Sequence, residues 1–378
     1  MKFLHLADLH LGKRLGDYDL SDVQMDMLDK LYQYVKENHI PVVVIAGDIY
    51  DTRDPSAKAT NILDVFLSKL HSIQANVLMI SGNHDQEDKL HFVSSILKND
   101  GIHIITDPRD SLTPVTIEDV NFYLLPFVNK YDVRSLFPEE AENIESLSQA
   151  ISLLISKMNL DKTKKNVLVS HQAILGSAGK LYASGSEVSV ERDRDGLIGG
   201  EDIISSAVLK DFDYVALGHI HKTMNIEKNM RYPGALLKYH KDEACNKKSF
   251  TIVDTEDFHI EEIQIVPLHD VVLLRGSFEE IKNHKEHQND YVFFELTDEE
   301  YILEPMDKLK KIFPYACGLS YIGKKTSLSP KEEIEYADID KISKMDLFSD
   351  FYKEQMNEDL NDEQKQIVNN LIKEIWGE

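Results

Sequence analysis

The stretch Val42-Val43-Val44-Ile45-Ala46-Gly47-Asp48 decides how the rest of this 378-residue chain is interpreted. Four successive β-branched residues predict a strand that is buried on both faces of a sheet. Gly47 permits a sharp turn and leaves Asp48 at the carboxyl end of the strand, the edge at which open α/β sheets bind their ligands. An acidic residue at this position is either an ordinary loop residue or a ligand, and the other strands decide between the two.

Polar residues end four further predicted strands in the same way. These strands are predicted at residues 2–8, 77–80, 166–171 and 214–221, and the helical periodicity between the early ones predicts an α/β sheet with parallel pairing. Because the carboxyl ends of parallel strands share one edge, we expect the polar side chains to lie together. The polar residues at the five strand ends are Asp8, His10, Asp48, Asn83, His84, His171, His219 and His221.

This set of side chains predicts a metal centre. Carboxylate, imidazole and amide oxygen are ligands of intermediate divalent metals such as Mn²⁺, with Fe²⁺ or Zn²⁺ as alternatives, and the set contains no thiolate. Two ions held about 3.5–4 Å apart need a bridging carboxylate, for which Asp48 on the central strand is the candidate. Such a pair of ions clamps a phosphodiester and generates hydroxide near neutral pH.

Each member of the set also has a purely structural interpretation. Asp8-x-His10 and His171, taken alone, are more often structural residues than ligands. The run Gly218–His221 is a weak to moderate metal signal by itself. The run Gly82–Asp85 is stronger, because glycine frees the turn while three adjacent polar groups face one cavity. The joint occurrence at five strand ends favours the metal centre.

The later part of the chain predicts additional domains. Three β segments at residues 231–234, 249–254 and 259–266 are predicted to close a second sheet of a sandwich. Pro267 marks a boundary, after which residues 270–325 have the pattern strand, helix, strand, helix, strand. The remaining residues are predicted to form a polar linker and two amphipathic helices. The predicted domains are therefore residues 1–266, 267–325 and 326–378.

Local signals predict where individual helices and loops begin. Ser21 with Gln24 predicts a capping box at the first helix, and Pro55 predicts the start of the second. Asn361 with Gln364 predicts a capping box at the final helix. Residues 176–200, rich in Gly, Ser and charge, predict an active-site loop. The final helix carries one broad apolar stripe, made of Ile367, Val368, Leu371, Ile372, Ile375 and Trp376.

The net charge of −24 opposes unaided binding of nucleic acid. A nucleic-acid enzyme with this charge needs bound cations, a locally basic groove or a basic partner. Cys245 and Cys317 show no metal or redox spacing. The chain shows no apolar leader or membrane-spanning stretch, which together with the cysteines predicts a cytoplasmic protein. Candidate groove residues are Lys13, Arg14, Arg53, Arg192, Arg194, Lys247 and Lys248.

Several motifs of the chain resemble those of the calcineurin-like metallophosphoesterase superfamily. Within it, residues 3–12, 47–55, 232–239 and the tail at 347–360 resemble the SbcD family of DNA-repair nuclease subunits, so that the resemblance covers nearly the whole chain. It implies a four-layer α-β-β-α sandwich with a small α+β capping domain and a C-terminal helical tail. The motifs are Asp8-x-His10, Gly47-Asp48-x-x-Asp51, Gly82-Asn83-His84-Asp85, His171 and Gly218-His219-x-His221.

The resemblance also implies a role for each residue of the set. One Mn²⁺ would be held by Asp8, His10, Asp48 and His221. The other Mn²⁺ would be held by Asp48, Asn83, His171 and His219. His84 would stand beside the ions without binding them, and would contact the scissile phosphate or help the leaving oxygen. Asp51 stands near a position where archaeal and eukaryotic relatives carry a histidine, so no role is carried over to it.

At the level of function, the resemblance implies a DNA nuclease of double-strand-break repair and recombination. It would act as an exonuclease on duplex ends and as an endonuclease on single strands and hairpins, with an SbcC-type ATPase whose coiled-coil base receives the tail. The implied complex is a heterotetramer of two nuclease and two ATPase subunits, without a membrane. Two alternatives are a phosphatase or cyclic-nucleotide phosphodiesterase, and a scaffold without chemistry. Residues 270–325 with the tail disfavour the first, and the complete ligand set disfavours the second.

Overall fold

The computed structural model describes residues 1–177, 203–322 and 360–376, together with Met345, Phe348, Ser349 and Tyr352. Three features predicted from the sequence lie wholly or mostly outside the described residues. They are the active-site loop at 176–200, of which only the first two residues are described, the linker near residue 326, and the segment at 347–360. The candidate groove residues Arg192 and Arg194 lie outside them as well.

The regular elements of the described residues are numbered here in chain order. The strands of three or more residues are β1 Lys2–Leu6, β2 Val42–Ala46, β3 Asn76–Ile80, β4 Ile102–Ile105, β5 Val115–Ile117, β6 Val120–Leu125, β7 Lys165–His171, β8 Tyr214–Gly218, β9 Met224–Glu227, β10 Met230–Tyr232, β11 Ser249–Asp254, β12 His259–Gln264, β13 Val271–Gly276, β14 Tyr291–Leu296 and β15 Ala316–Tyr321. The α-helices are α1 Ser21–Glu37, α2 Ala57–Ser72, α3 Glu87–His91, α4 Ser94–Leu97, α5 Lys130–Leu136, α6 Leu147–Lys157, α7 Phe278–Lys282, α8 Pro305–Lys310 and α9 Asp362–Trp376.

Two six-stranded sheets form the body of the fold. The first has the order β12-β11-β1-β2-β3-β4, and the second has the order β9-β10-β8-β7-β6-β5. Strands β1 to β4 are parallel, as the alternation of strand and helix predicted. Strands β6, β7, β8 and β10 are parallel within the second sheet. Each sheet therefore has an edge at which the carboxyl ends of several strands lie side by side.

The inner faces of the two sheets pack against each other through an apolar layer. Phe3 of β1 contacts two rings of the second sheet, with centroid distances of 5.6 Å to Phe122 and 5.8 Å to Tyr214. Val44 on β2 and Val169 on β7 belong to the same buried cluster. These strands have apolar side chains on both faces, which is why they appear as continuous β-branched runs in the sequence.

Helices cover the outer faces of both sheets. On the first sheet, Leu31 of α1 and Phe66 of α2 pack with Leu4 and Ile45 in one buried cluster. On the second sheet, the apolar face of α6 packs in another cluster with residues of β6, β7 and β8. The order helix, sheet, sheet, helix confirms the predicted four-layer α-β-β-α architecture.

The predicted assignment of the late β segments was wrong in part. Residues 230–232 do join the second sheet, as β10 beside β8. Strands β11 and β12 belong to the first sheet instead, where β11 pairs antiparallel with β1 through Phe3 and Val253, among other pairs. Sequence pattern identified these segments as strands, but the choice of sheet depends on pairing between residues about 250 positions apart in the chain.

The starts of two helices also differ from the predictions. The N-cap residue of α1 is Leu20, whose side chain makes no capping hydrogen bond, and the Gln24 amide binds the preceding loop, donating to the carbonyl oxygens of Leu9 (3.2 Å) and His10 (2.7 Å). The predicted capping box at Ser21 was therefore wrong. Helix α2 begins at Ala57 rather than at Pro55, because the Ser56 hydroxyl accepts a hydrogen bond from the Ala59 N–H at 3.1 Å.

The chain forms two compact units. One comprises Met1–Leu274, His284–Phe294 and Glu304–Gly318, and the other comprises Arg275–Asn283, Glu295–Leu303 and Leu319–Glu378. Strands β13 to β15 and helices α7 and α8 follow the predicted order of strand, helix, strand, helix, strand. The domain boundaries after residues 266 and 325 stay predictions.

Helix α9 begins with the predicted capping box. The Asn361 N–H donates to Gln364 Oε1 at 2.9 Å, and the Gln364 N–H donates to Asn361 Oδ1 at 2.9 Å. On its apolar stripe, Ile367 is 55% exposed and Leu371 is 49% exposed.

Within the described part of the chain, every helix is too short or too polar to cross a lipid bilayer. Both cysteines are free thiols.

Candidate metal centre

The loops that follow the strands hold their polar residues in strained backbone. Asp8, His10 and Asp48 have φ angles of 55°, 43° and 49°, and His219 has a φ of 107°. Residues with side chains adopt this left-handed region rarely, at a cost of about 1–3 kcal/mol each. Hydrogen bonds between the loops maintain it, from Asp8 N–H to the Gly47 carbonyl and from His10 N–H to the Asp48 carbonyl, both at 3.0 Å. Such strain clusters at functional sites.

Two glycines allow the strand ends to approach each other closely. A Cβ at Gly218, at the end of β8, would lie 1.8 Å from the carbonyl oxygen of Ala46 at the end of β2. A Cβ at Gly82 would lie 2.1 Å from Oδ1 of Asp48. Neither distance is possible for real atoms, so these positions require glycine. The ends of the two sheets therefore meet at one point, around Asp48.

The first group of side chains at this point consists of Asp8, His10 and His221. Each offers one ligand atom, and these atoms all lie within 4.8 Å of one another. The Nε2 atoms of His10 and His221 face each other at 3.0 Å. All three residues are buried, with at most 3% of their surface exposed. Together with Asp48, these three residues make up the ligand set that the resemblance implies for one ion.

The second group consists of Asn83, His171 and His219. Oδ1 of Asn83 lies 3.1 Å from Nε2 of His171 and 3.2 Å from Nδ1 of His219. The Asp8 carboxylate accepts a hydrogen bond from the His219 N–H at 3.0 Å, which ties this group to the first. Two imidazole nitrogens and an amide oxygen thus converge at one place, and they are three of the ligands that the resemblance implies for the other ion.

Asp48 lies between the two groups. Its Oδ2 atom is 3.5 Å from His10 Nε2 in the first group and 3.4 Å from His171 Nε2 in the second. Its Oδ1 atom accepts a hydrogen bond from the His84 N–H at 3.0 Å. A single carboxylate that faces both groups has the placement of a bridging ligand.

His84 stands beside the centre and its ring is held from outside. Nδ1 of His84 donates to the backbone carbonyl of Asp51 at 2.9 Å, and its ring packs edge-on against His10 at a centroid distance of 4.9 Å. His84 is only partly buried, as is Asn83. The contact with Asp51 engages Nδ1, and Nε2 is the second nitrogen of the ring.

Asp51 is closer to the centre than the sequence suggested. Its carboxylate accepts a hydrogen bond from Lys13 Nζ at 2.7 Å and lies 3.6 Å from Nδ1 of His10. Within the described residues, His10 Nδ1 has no hydrogen-bond partner. Asp51, His10 and His84 form a third group whose ligand atoms lie within 4.8 Å of one another.

The electrostatics of the centre favour the entry of cations. Burial raises the pKa of Asp8. Burial alone would lower the pKa of His171, but the neighbouring Asp48 carboxylate outweighs it and raises that pKa to about 9. A proton on His171 thus balances the buried carboxylate, and a divalent ion supplies the same balancing charge. Buried carboxylates, imidazoles and an amide oxygen around a shared aspartate fit a pair of divalent metal ions.

Several supporting residues were not identified from the sequence. The Asp85 carboxylate accepts hydrogen bonds from the N–H groups of Ile49, Tyr50 and Gly82, at 2.9–3.1 Å, and so joins the loops after β2 and β3. The position of Asp85 in the run Gly82–Asp85 was the feature of the sequence that could have identified it as a supporting residue. Gln24 holds the loop that carries His10, as described above. Burial is the main cause, and the negative charge of Asp48 the second cause, of a pKa of Asp85 that is raised to about 7.

Glu243 and Lys248 lie beneath His221 and were also not identified as part of the site. The Glu243 carboxylate is fully buried and lies 3.4 Å from Nδ1 of His221. Lys248 donates to Glu243 Oε2 at 2.6 Å, so its predicted place in a basic groove was wrong. Nothing in the polar run around residues 240–248 distinguishes these two from surface residues. Of the other groove candidates, Arg14, Arg53 and Lys247 are exposed.

A two-sheet sandwich whose strand ends gather groups of side chains that could hold metal ions is the arrangement of a metal-dependent phosphoesterase. The family model described as calcineurin-like phosphoesterase matches residues 1–223, and the chain belongs to this family. A second model, described as the type 5 capsule protein repressor C-terminal domain, matches residues 267–356.

A full-length relative is the SbcD subunit of the nuclease SbcCD from Staphylococcus epidermidis. It is 29% identical over 382 residues, which cover 98% of this chain and 98% of the relative.

Solved structures of lower similarity include other phosphoesterases. A novel archaeal phosphodiesterase is 15% identical, with a TM-score of 0.32 over 70% of this chain and 100% of that one. A dimetal phosphatase from Danio rerio is 14% identical, with a TM-score of 0.36 over 71% of this chain and 98% of that one.

Proposed function

We propose that this chain is the nuclease subunit of an SbcCD-type DNA-repair complex and hydrolyses DNA phosphodiester bonds. The observation that carries the proposal is the similarity to the SbcD subunit of the staphylococcal nuclease SbcCD over 98% of both chains. That similarity extends beyond residue 223, where the match to the phosphoesterase family ends. The general phosphoesterases that serve as the alternative share the metal centre but do not account for the later part of the chain.

The ligand assignment follows the two groups around Asp48. One ion is held by Asp8, His10, Asp48 and His221, and the other by Asp48, Asn83, His171 and His219. Both ions are Mn²⁺ in this proposal, as the resemblance implies, and nitrogen and oxygen donors without sulfur are compatible with this metal. When bound, the pair supplies positive charge to the phosphodiester and a nucleophilic hydroxide near neutral pH.

His84 acts on the substrate rather than on the metals in this proposal. Its Nδ1 donates to the Asp51 carbonyl, which orients the ring and leaves Nε2 for the substrate. A protonated Nε2 can donate a hydrogen bond to a phosphate oxygen or a proton to the leaving oxygen. The Asp48 carboxylate, which accepts the His84 N–H, keeps this ring next to the ligand set.

The acidic charge of the chain requires help in binding DNA. Two divalent ions offset four units of the net charge of −24. Arg14, Arg53 and Lys247 are exposed and available to a phosphate backbone. The remaining attraction comes from an SbcC-type ATPase partner with a coiled coil, in a complex of two nuclease and two ATPase subunits.

Helix α9 is the proposed docking element for that partner. Ile367 and Leu371 expose about half of their surface, which an amphipathic helix covers when it lies in a groove or on a coiled coil. The capping box at Asn361 stabilises the start of the helix in the absence of any partner.

The activity is tested on three substrates in the presence of Mn²⁺. The purified chain should cleave the diester bis(p-nitrophenyl) phosphate faster than the monoester p-nitrophenyl phosphate. With the ATPase subunit and ATP it should also degrade linear duplex DNA. Comparison of free and blocked duplex ends, and of hairpins, then separates the exonuclease from the endonuclease activity. Preferred hydrolysis of the monoester, with DNA left intact in the presence of the partner, would favour the phosphatase alternative.

The partner is tested by truncation after residue 330. The truncated protein should retain Mn²⁺-dependent hydrolysis of the small diester and lose co-purification with the ATPase subunit. It should also lose ATP-dependent cleavage of duplex DNA. Full-stoichiometry co-purification of the truncated protein would show that the tail is not the tether. Aggregation or early melting would show that the apolar stripe belongs to the protein's own core.

A further inference from the structure

The buried pair of Glu243 and Lys248 holds His221 at both ends. Glu243 Oε1 lies 3.4 Å from Nδ1 of the His221 ring, and Lys248 Nζ donates to the His221 backbone carbonyl at 3.1 Å. The two residues bind each other through Lys248 Nζ and Glu243 Oε2 at 2.6 Å. Glu243 Oε1 also accepts the N–H of Tyr239 at 3.3 Å. The pair belongs to neither ligand group.

The chemistry of these contacts decides the tautomer of His221. A carboxylate paired with a buried ammonium is ionised and can only accept hydrogen bonds. Nδ1 of His221 must therefore carry a proton, and in the neutral imidazole Nε2 is then unprotonated. Nε2 is also the atom that faces His10 Nε2 at 3.0 Å in the first ligand group. An imidazole binds a metal through its unprotonated nitrogen, so this tautomer suits a ligand.

We propose that Glu243 is the positioning residue for His221 and raises the affinity of the first metal ion alone. It accepts the Nδ1–H of His221 and so fixes both the tautomer and the ring orientation of this ligand. Lys248 compensates the buried charge of Glu243 and holds the backbone of the same histidine. The inference rests on the ligand set given under the proposed function.

The second ion has a different support, which makes the proposal selective. In the second group, Nδ1 of His171 lies 2.7 Å from the backbone carbonyl of Ala46, a neutral acceptor. The Glu243 carboxylate, by contrast, contacts His221 of the first group, together with Lys248 and Tyr239. Loss of the Glu243 carboxylate should therefore weaken the ion held by His221 and spare the ion held by His171.

A structural role for the pair makes a different prediction. If Glu243 and Lys248 only fasten the loop around residues 239–248, their loss lowers the melting temperature and disturbs both ions or neither. If Glu243 acts through His221, its effect on metal binding depends on that ring. A double-mutant cycle between Glu243 and His221 separates the two cases, because only coupled residues give non-additive effects.

The test is calorimetric titration of the full chain with Mn²⁺. Glu243→Gln should weaken one of the two Mn²⁺ sites by about 10–100-fold and change the other by less than about threefold. His221→Ala should weaken the same site. Glu243→Gln in the His221→Ala background should have no further effect on that site. Equal losses at both sites, no loss at either, or additive losses in the double variant would overturn the proposal.

Two further variants keep the test decisive. Glu243→Gln leaves the Lys248 charge buried without its partner. If this single variant does not fold, Mn²⁺ binding is measured on the double variant Glu243→Gln/Lys248→Met instead. Glu140→Gln removes an ion pair with Lys157 of α6 (2.8 Å) that involves no proposed ligand, and it should leave both Mn²⁺ sites unchanged. A wild-type chain that binds fewer than two Mn²⁺ ions would refute the ligand set itself. Two wild-type sites that Glu243→Gln leaves unaltered would refute only the positioning role.

Discussion

The metal centre and helix α9 are built in opposite ways. The centre joins His10 to His221 across 211 positions of the chain, whereas the capping box of α9 joins Asn361 to Gln364 across three. Asp8, His10, Asp48, His171 and His221 of the centre are buried, while Ile367 and Leu371 of α9 expose about half of their surface. Chemistry requires groups that the whole fold holds in place, whereas a docking element requires only local order and a partner. Damage to one region should therefore leave the other intact.

The largest expected effect is that of Asp48→Ala. Removal of the carboxylate shared by both ligand groups should abolish Mn²⁺ occupancy and reduce diester hydrolysis to background. Co-purification with the ATPase subunit should persist, because α9 is unchanged. Calorimetry and a pull-down measure the two effects, with Asp26→Ala on the surface of α1 as the matched control. Near-normal binding of two ions by Asp48→Ala would contradict the proposal that Asp48 bridges them.

His84→Ala should divide the centre into binding and chemistry. The hydrolysis rate should fall by about 10²-fold or more, since a group that contacts the phosphate in the transition state is lost. Both Mn²⁺ ions should stay bound, because His84 belongs to neither ligand group. Steady-state kinetics on the small diester and calorimetry on the same sample test this. Loss of an ion would make His84 a ligand and refute its proposed role.

Leu371→Asp should have the reverse effect, on the partner rather than on the chemistry. A charge in the middle of the exposed stripe should weaken binding of the ATPase subunit by at least about tenfold, equivalent to about 1.4 kcal/mol. Hydrolysis of the small diester should stay within about twofold of the wild type. Asn370→Asp places the same charge on the opposite face of α9 and should bind normally. Equal weakening by both substitutions would mean that the stripe is not the contact surface.

The smallest expected effect is that of Asn361→Ala. It removes the capping box and should destabilise the start of α9 by about 1 kcal/mol. Hydrogen exchange of the amides at residues 362–365 should become faster, while Mn²⁺ binding remains unchanged. A change in metal affinity in this variant would show that the two regions are coupled, contrary to the comparison above.

Much of the centre could be predicted because its elements are marked locally. The β-branched run before Asp48 and the glycine at Gly82 identify strand ends from a few neighbouring residues. Parallel pairing then places those ends at one edge, whatever the details of packing. The structure brings all eight predicted residues together at that edge. The capping box at Asn361 was predictable for the same reason, since its hydrogen bonds span a single turn.

The wrong predictions concern residues and strands that had more than one possible partner. Gln24 has the spacing of a capping residue, but its amide binds the carbonyls of Leu9 and His10 in a loop that the pattern does not include. Strands β11 and β12 have alternating sequences that suit either sheet, and only the pairing with β1 selects the first. The periodicity of side chains indicates which face of a strand is buried, but it does not indicate which other strand pairs with it.

The amino-acid sequence alone determined the strand ends, the polar residues that follow them and the apolar stripe of α9, because propensity, periodicity and turn chemistry act over a few residues. Only the tertiary structure decided that Glu243 and Lys248 lie under His221 and that Asp85 joins two loops. These relations depend on distances between segments far apart in the chain. Such distances follow from the packing of two sheets and their helices as a whole, and no short stretch of residues encodes them.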